Sequence, residues 1–452
     1  MNALILGGGG REQALAWKIS QSPLIDILYL APGNGGSFPK CLNVALSEAD
    51  FPAIADFVKK HDVELLVVGP EQPLVDGIVD FLAGDADLAG LHIVGPTAFG
   101  ARLESSKAFA KEFMARQGIK TAAYKSFSGE GGIEAAADFI RGLGHGPYVL
   151  KADGLAAGKG VLIIEEEDEA VRASEEMLRG KFGEASRTVV IEEFLSGIEC
   201  SVFFLTDGKS YTLLPVAKDY KRIGDGDTGL NTGGMGSVSP VPFANKDFMD
   251  KVEREIVQRT VDGISPDVYK GFVFLGLMDV EGEPFVIEYN VRMGDPETES
   301  VMRRIDGDLV PYLLALKEEK LGDLEPLKET EETALTLILA SGGYPEKYAK
   351  GFTISGIEEA EKLGAVVFHA GTKSTTDGGI VTAGGRVLAV SATGYGLEEA
   401  REKAYAAAEA ITFEKVYKRN DIGSDLLAFM KGCIRKETKK LWEGIFKRED
   451  KK

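Results

Sequence analysis

Residues 284–297 constrain this chain more than any other stretch, because a strand-like pattern there carries a cluster of polar side chains. The first half is rich in β-branched and aromatic residues, which favours a β-strand. Side chains two positions apart on a strand share a face, so Glu288, Asn290 and Arg292 are expected to lie together. A carboxylate, an amide oxygen and a guanidinium suit a magnesium ion and the phosphates of a nucleotide. A surface strand with a solvated polar face is the alternative interpretation.

Composition narrows the class of protein. A chain of 452 residues is expected to divide into roughly three or four domains. No apolar run reaches the roughly 18 residues of a membrane span, and the first residues lack the basic region of a signal peptide. We therefore expect a cytoplasmic protein with no membrane partner. The net charge of -19 argues against a general nucleic-acid partner. Three isolated cysteines and four scattered histidines predict neither disulfides nor a zinc site.

The first residues read as a strand, a glycine turn and a helix. Glycines such as Gly9 and Gly10 let the backbone approach a phosphate at the helix N-terminus, with Arg11 as a supporting charge. A tight turn without a ligand is the alternative. A nicotinamide-dependent dehydrogenase would carry an acidic residue about 20 positions further on. Here the second strand runs instead into Gly33 and Asn34, which suit a sugar or a phosphate.

Further buried-type strands at 63–68 and 92–94 end in glycine–proline turns, the first of which includes Pro70 and Glu71. Strands that alternate with helices predict a parallel sheet, whose ligand lies beyond the carboxyl ends of the strands. The glycine turn near the start of the chain, the loop with Asn34 and the turn with Glu71 are therefore expected to converge on one site.

Three later segments have the pattern of nucleotide and substrate loops. A short strand ending at Lys151 leads into a glycine-rich loop that can close over a triphosphate, although a structural hairpin is the alternative. Residues 188–199 read as a strand and hinge that can hold an adenine and a ribose. The loop at 218–236 is dense in Gly, Asp, Lys and Arg, which favours a functional role. The loops at 151–160 and 225–236 are the candidate lids.

The remaining chain is mainly β-structure. Residues 273–280 are expected to pair with 285–291 as a hairpin that carries the metal ligands. From Thr333 onward three strands and a helix near Leu397–Ala410 predict a separate β-rich domain. Beyond Gly423 the chain turns basic, with apolar residues at helical spacing. This tail is expected to pack on the body, or else to contact a partner or an acidic surface.

An ordered set of motifs makes the chain resemble the phosphoribosylamine–glycine ligase (glycinamide ribonucleotide synthetase) family of the ATP-grasp superfamily. The resemblance runs from Met1 to about Gly423. Its motifs lie at residues 8–12, 31–34, 69–71, 151–160, 227–229, 231–236 and 294–297.

The resemblance implies an α/β and α+β multidomain fold. Its parts are an N-terminal Rossmann-like α/β domain at 1–103, a two-part ATP-grasp region at 104–328 with a lid subdomain about 122–190, and a C-terminal β-rich domain at 329–425. A basic tail at 426–452 lies outside it. The resemblance also implies the reaction: ATP phosphorylates glycine, and 5-phosphoribosylamine displaces the phosphate to give glycinamide ribonucleotide, the second step of purine synthesis. Magnesium or manganese would be the metal.

The same resemblance implies a role for each site residue. The metal ligands would be Glu288 and Asn290, and the catalytic residues Lys221, Arg292 and Asp295. ATP would be bound by Lys107, Lys151, Gly154, Gly158, Lys159, Gly160, Glu192, Glu193, Phe194, Leu195 and Glu199. The substrates would be bound by Gly9, Gly10, Arg11, Gly33, Asn34, Pro70, Glu71, Asp219, Asn231, Gly234, Pro296 and Glu297.

The sequence departs from the family pattern at Gln13 and Tyr220, where histidine is common, and at Leu230, where proline is common. The last two bear on the glycine loop. One alternative is another ATP-grasp carboxylate–amine ligase. A second is an inactive nucleotide-binding regulator, which should have lost Glu288, Asn290 or Arg292. A monofunctional, monomeric enzyme is expected.

Overall fold

The N-terminal region is built around a parallel sheet, as the alternation of strands and helices predicts. The computed structural model describes residues 1–156 and 160–433. The five strands pair in the order β3-β2-β1-β4-β5, so the turns after β1, β2 and β4 meet at one edge. The elements are β1 (Asn2–Gly7), α1 (Gly10–Ile19), β2 (Ile27–Pro32), β3 (Cys41–Asn43), α2 (Phe51–Lys60), β4 (Val63–Val68), α3 (Glu71–Val75), α4 (Ile78–Ala83) and β5 (His92–Val94).

A second unit has its own sheet and its own core. Two helices lead into it, and its four strands pair in the order β6-β9-β7-β8. Ala136 and Ile140 of α7 lie one turn apart, and both are buried in this separate core. The elements are α5 (Arg102–Ser105), α6 (Lys107–Gln117), β6 (Tyr124–Ser128), α7 (Gly129–Leu143), β7 (Tyr148–Ala152), β8 (Val161–Ile164), α8 (Glu167–Leu178) and β9 (Thr188–Glu193).

The chain then enters a large antiparallel sheet, in which the order of the first five strands is β16-β15-β10-β11-β14. This sheet holds the hairpin that the sequence predicts. The elements are β10 (Ile198–Thr206), β11 (Tyr211–Asp219), β12 (Arg222–Gly224), β13 (Thr228–Asn231), β14 (Gly236–Ser239), α9 (Lys246–Val252), α10 (Gln258–Gly263), β15 (Gly271–Val280), β16 (Glu283–Asn290), α11 (Glu297–Arg304), β17 (Ile305–Asp306), α12 (Val310–Glu318) and β18 (Lys328–Glu329).

The C-terminal region continues that same sheet. Strand β19 pairs with β14 on one side and β23 on the other, so nine strands form one sheet. All nine residues of β19 are buried, which suits a central strand. The elements are β19 (Thr333–Ser341), α13 (Ile357–Lys362), β20 (Val366–His369), β21 (Thr372–Ser374), β22 (Ile380–Thr382), β23 (Arg386–Gly394), α14 (Leu397–Ala410) and β24 (Val416–Tyr417).

The fold class predicted from the sequence is confirmed, with one feature that the sequence did not predict: the C-terminal β-rich region shares its sheet with the ATP-grasp-like strands. Leu426 of the tail is buried in the body, and the helical spacing noted at 434–452 lies outside the described residues. No helix in the described ranges has both the length and the apolar character needed to cross a membrane.

The hairpin of β15 and β16 differs from the prediction in two details. Gly276 pairs with Glu288, whereas Leu277 pairs with Val286, so Ile287 is an extra residue that bulges from the ladder. This bulge explains why the apolar residues there do not alternate. The strand also ends at Asn290, so Arg292 was wrongly placed on it and lies just beyond its end.

Candidate active site

Four cationic side chains act on the charge of the Glu288 carboxylate. Burial alone would raise the pKa of Glu288, but Lys221, Lys151, Lys107 and Arg292 together lower it, so the group is held ionised. These four cations come from separate parts of the chain. Their convergence makes a site for several negative charges.

Asn290 supplies the second oxygen that the sequence predicts for a metal. Its side chain is 8% exposed, and its amide nitrogen has no hydrogen-bond partner among the described residues. No internal hydrogen bond from that nitrogen therefore fixes the amide. The described residues contain no group of three His, Cys, Asp or Glu arranged for a metal, so a metal here would have few protein ligands.

Lys151 enters the site from β7. Its ammonium donates to Glu192 Oε2 at 3.0 Å and to the carbonyl of Ile287 at 3.3 Å. Lys111 of α6, which the sequence analysis did not single out, lies 3.0 Å from the same Glu192 oxygen and donates to Thr121. Burial lowers the pKa of Lys111 to about 8 despite this carboxylate. Glu192 thus links the hinge to both lysines, while its Oε1 is buried without a partner in the described structure.

The start of α6 faces the glycine-rich loop. Asp153 accepts from Ser106 Oγ at 3.0 Å and from the amide of Ala108 at 2.7 Å, so it binds the first turn of this helix, whose N-cap is Ser106. Lys107 Nζ lies 3.4 Å from the carbonyl of Gly154, and burial lowers its pKa. The loop closes where Gly160 accepts from Ala152 at 2.7 Å. Two predicted ATP ligands, Gly158 and Lys159, lie outside the described residues.

The hinge between β9 and β10 is open to solvent. Glu193 is tied to Ala123 by two hydrogen bonds, at 2.9 Å each, while Phe194 is 43% exposed and Leu195 partly so. An exposed aromatic side chain in the hinge between two strands can pack on a planar base. At the end of the hinge, Glu199 Oε2 forms an ion pair with Lys221 at 3.1 Å.

Acidic groups gather around Lys221. Desolvation disfavours its charge, but Asp219, Glu199 and Glu288 outweigh that effect and raise its pKa well above the ordinary value. Burial and Asp219 raise the pKa of Glu297 to about 7, and Ser201 donates to this carboxylate at 3.0 Å. Predicted catalytic and substrate residues therefore do lie together. An acidic pocket of this kind suits an amine.

Arg292 connects the hairpin to the N-terminal region. It donates to Glu71 Oε2 at 3.2 Å and to Glu104 Oε1 at 2.7 Å. Glu104, which the sequence analysis missed, also accepts from the amide of Val291 at 2.8 Å. Pro70 precedes Glu71 as the N-cap of α3, which places both predicted residues at the sheet edge.

The glycine turn after β1 lies at this edge as well. Glu12 Oε2 accepts from the amide of Gly9 at 2.8 Å, and Glu12 Oε1 lies 2.5 Å from Arg11 Nε. Arg11 therefore pairs with its neighbour and also donates to the carbonyl of Met293 at 3.4 Å. A Cβ at Gly10 would lie too close to a carboxyl oxygen of Glu299, so a larger residue there would require the Glu299 side chain to move.

Asn34 joins the turn to the C-terminal region. Its amide nitrogen donates to the carbonyls of Gly8 at 3.1 Å and His369 at 2.8 Å, and its oxygen accepts from Gln13 at 3.0 Å. Gln13 in turn accepts from the His369 amide. Gln13, where the family commonly has histidine, therefore links Asn34 to His369 by hydrogen bonds inside the protein. Gly33 has a left-handed backbone conformation (φ 74°), and a Cβ there would collide with the side chain of Asn43.

The loop at 218–236 is anchored along its length by the C-terminal region. Tyr220 Oη donates to Asp425 at 2.5 Å, and Arg419 pairs with Asp227 at 2.7 Å. Tyr220 therefore points away from the acidic pocket, and the departure at Leu230 is a surface residue, 51% exposed. A lid movement of this loop would have to break these contacts.

The end of that loop packs against Asp295 and Pro296. Gly234 has φ 115°, and a Cβ there would collide with Pro296, while Asn231 pairs with Arg222 across β12 and β13. Arg386 of β23 donates to the carbonyls of both segments, at Gly233 and at Asp295. No sequence pattern indicated this role for Arg386, because the residue lies far from Asp295 along the chain and no motif surrounds it.

The chain matches three family models in order. These are the phosphoribosylglycinamide synthetase N domain at residues 1–104, its ATP-grasp (A) domain at 105–298 and its C domain at 334–425.

Named relatives agree with these matches. The phosphoribosylamine–glycine ligase of Vibrio vulnificus is 46% identical over 434 residues, covering 95% of this chain and 99% of that protein. The crystal structure of phosphoribosylamine–glycine ligase from Thermotoga maritima matches with a TM-score of 0.78 at 36% identity, covering 93% of this chain and all of that one. Biotin carboxylase from Campylobacter jejuni, at 15% identity and a TM-score of 0.66 over 92% of each chain, shares the fold alone. The chain therefore belongs to the phosphoribosylglycinamide synthetase family of ATP-grasp ligases.

Proposed function

We propose that this protein joins glycine to 5-phosphoribosylamine with ATP, giving glycinamide ribonucleotide, ADP and phosphate. The observation that carries the proposal is that Lys107, Lys151, Lys221 and Arg292 lie close enough to Glu288 for their charges to lower its pKa, with Lys151 Nζ 3.3 Å from the carbonyl of the adjacent Ile287. Such a cluster of cations suits a polyphosphate, and the acidic groups around Lys221 suit the ammonium of an amino acid. Family membership supports the same reaction. A cytoplasmic location and a monomeric state stay predictions.

The chemistry requires two steps. A glycine carboxylate oxygen attacks the γ-phosphorus, ADP leaves, and glycyl phosphate forms. The amine nitrogen then attacks the acyl carbon, the bond to phosphate breaks, and the amine loses a proton. Positioning and charge neutralisation supply most of the catalysis in phosphoryl transfer. Arg292 is fixed for this role by Glu71 and Glu104, which hold its guanidinium at two edges.

Glu288 and Asn290 fit a magnesium or manganese ion. Magnesium usually takes one or two protein carboxylates or oxygens and completes its shell with phosphates and water, which matches this small donor set. The unpartnered amide nitrogen of Asn290 is a hydrogen-bond donor, so it suits a phosphate oxygen, and only the amide oxygen could hold the metal. When bound, the metal would offset charge on the phosphates during transfer.

The first test is ADP formation from magnesium-ATP and glycine, with and without freshly generated phosphoribosylamine, together with a mass spectrum of the product. ADP and glycinamide ribonucleotide that depend on both substrates would support the proposal. ADP with a different acid or amine would identify another ATP-grasp ligase. The absence of ADP under every condition would favour the inactive regulator.

The variant Glu288→Ala is expected to abolish turnover, because it removes the carboxylate on which four cations converge. Loss of a single preorganised group in such sites typically costs about 10²–10³-fold in kcat. Steady-state ADP release at saturating magnesium measures it. The exposed residue Glu346 provides the matched control, and the variant Glu346→Ala should keep its turnover unchanged. Near-normal turnover of Glu288→Ala would refute the metal assignment.

A further inference from the structure

We propose that Arg386 is a positioning residue, through which the C-terminal region fixes the 231–236 loop against Asp295 and so sets how glycine is held. The inference rests on the proposed function, since it assigns the loop and Asp295 to the glycine side of the site. Arg386 lies at the start of β23, in the region that contributes no predicted ligand.

The guanidinium connects two segments through one nitrogen. Arg386 Nη1 donates to the carbonyl of Gly233 at 2.6 Å and to the carbonyl of Asp295 at 2.8 Å, and it lies 3.0 Å from Asp295 Oδ1. The Gly233 amide donates to Tyr344 Oη at 3.0 Å. Both backbone polar groups of Gly233 are therefore held by side chains of the C-terminal region.

The contacts of Arg386 with Gly233 and Asp295 form a clamp between the two segments. Steric contacts show that the sequence accommodates this clamp. A Cβ at Gly233 would lie 2.8 Å from Cζ of Arg386, closer than real Cβ atoms approach, so glycine admits the guanidinium. Arg386 is only 20% exposed, so its charge is poorly hydrated and depends on these partners. Burial opposes the charge of Arg386, but the carboxylate of Asp295 outweighs that effect and raises the pKa of Arg386.

The clamp acts on residues that touch substrate in the proposed reaction, rather than on substrate itself. Release of Gly233 would let Gly234 and Asn231 shift, and release of Asp295 would alter the turn that leads to Glu297. A shift of about 1 Å in a reacting group can cost on the order of 100-fold in rate. ATP contacts, which lie on other elements, should be spared.

The test compares Arg386→Gln and Arg386→Lys with Arg401→Gln in the full-length protein. Arg401 also donates to two backbone carbonyls of the C-terminal region, at 3.1 and 2.7 Å, but contacts no predicted site residue, so it is a matched control. We expect Arg386→Gln to lower kcat/KM for glycine by about 10- to 100-fold. Arg386→Lys should recover part of this loss, because an ammonium keeps the charge and donors but not the guanidinium plane. ADP affinity should change little, whereas the thermal midpoint of Arg386→Gln should fall, because the mostly buried carboxylate of Asp295 loses its cation.

Amide hydrogen exchange gives a readout that does not depend on turnover. Residues 231–236 should exchange faster in Arg386→Gln than in the wild type or Arg401→Gln. Faster exchange without any change in glycine kinetics would overturn the positioning role. Unchanged exchange, or a loss of ADP affinity as large as the loss of kcat/KM for glycine, would overturn the clamp in favour of general stabilisation. If the wild type forms no glycinamide ribonucleotide, the proposed function fails, while the exchange result still reports on the clamp.

Discussion

Glu299 carries an unpaired carboxyl group in the interior. The residue has no exposed surface, and neither carboxyl oxygen has a hydrogen-bond partner among the described residues. Burial, reinforced by Asp295, raises the pKa of Glu299 well above its usual value, so the folded protein keeps it protonated. Because the unfolded chain releases that proton at lower pH, the stability contributed at this position falls as pH rises above the ordinary glutamate pKa.

We expect Glu299→Gln to stabilise the protein, and more at pH 8 than at pH 5, because the amide never ionises. The difference in gain between the two pH values should be about 1.4 kcal/mol for each pH unit over which the folded group stays protonated while the unfolded one is ionised. Thermal midpoints at both pH values measure it. The exposed Glu346→Gln is the control and should shift neither midpoint. A gain that is equal at the two pH values, or a loss at pH 8, would contradict the protonated state.

At the scale of elements, the hairpin of β15 and β16 shows what the sequence could and could not predict. Alternation and composition predicted the pairing and placed Glu288 and Asn290 on one face. The bulge at Ile287 depends on the register with β15, and the sequence of one strand does not specify its partner's register. Arg386 and the pairing of β19 with β14 were likewise missed, because contacts between distant segments leave no local periodicity.

Gly276 lies opposite Glu288 in this hairpin, and a Cβ there would lie 3.0 Å from Glu288 Cγ. We expect Gly276→Ala to displace the carboxylate and weaken metal affinity by about 10- to 100-fold, as loss of supporting contacts does in other metal sites. Manganese titration followed by calorimetry and by activity measures this. Gly90→Ala, where an added Cβ meets nothing within 4 Å, is the control. Unchanged affinity would show that Glu288 adapts without cost.

At the scale of the whole molecule, the described residues pack into separate cores. One core belongs to the unit of β6 to β9 alone, whereas the other two include residues from the N-terminal region, the large sheet and the C-terminal region. Units with an independent core can open without global unfolding. The β6 to β9 unit is therefore the part expected to move most readily over a bound nucleotide.

The variant Ile140→Ala should lower the protection of that unit selectively. Ile140 is fully buried in its core, and such truncations cost about 2–5 kcal/mol. Native-state hydrogen exchange should show faster opening of β7 and β9, with β19 unchanged. The control is Ala404→Gly in α14. Because Ala404 packs in a different core, this change should leave the protection of β7 and β9 unaltered. Equal loss of protection in β19 would mean that the two units open together.

The shared sheet also sets an order of events during synthesis. A nascent chain that has emerged as far as Arg292 carries Lys107, Lys151, Lys221, Glu288 and Arg292, but β19 and Arg386 have not yet emerged. Strand β14 then has β11 on one side and an unpaired edge on the other. The nucleotide side of the centre is therefore complete in sequence before the amino-acid side can be assembled.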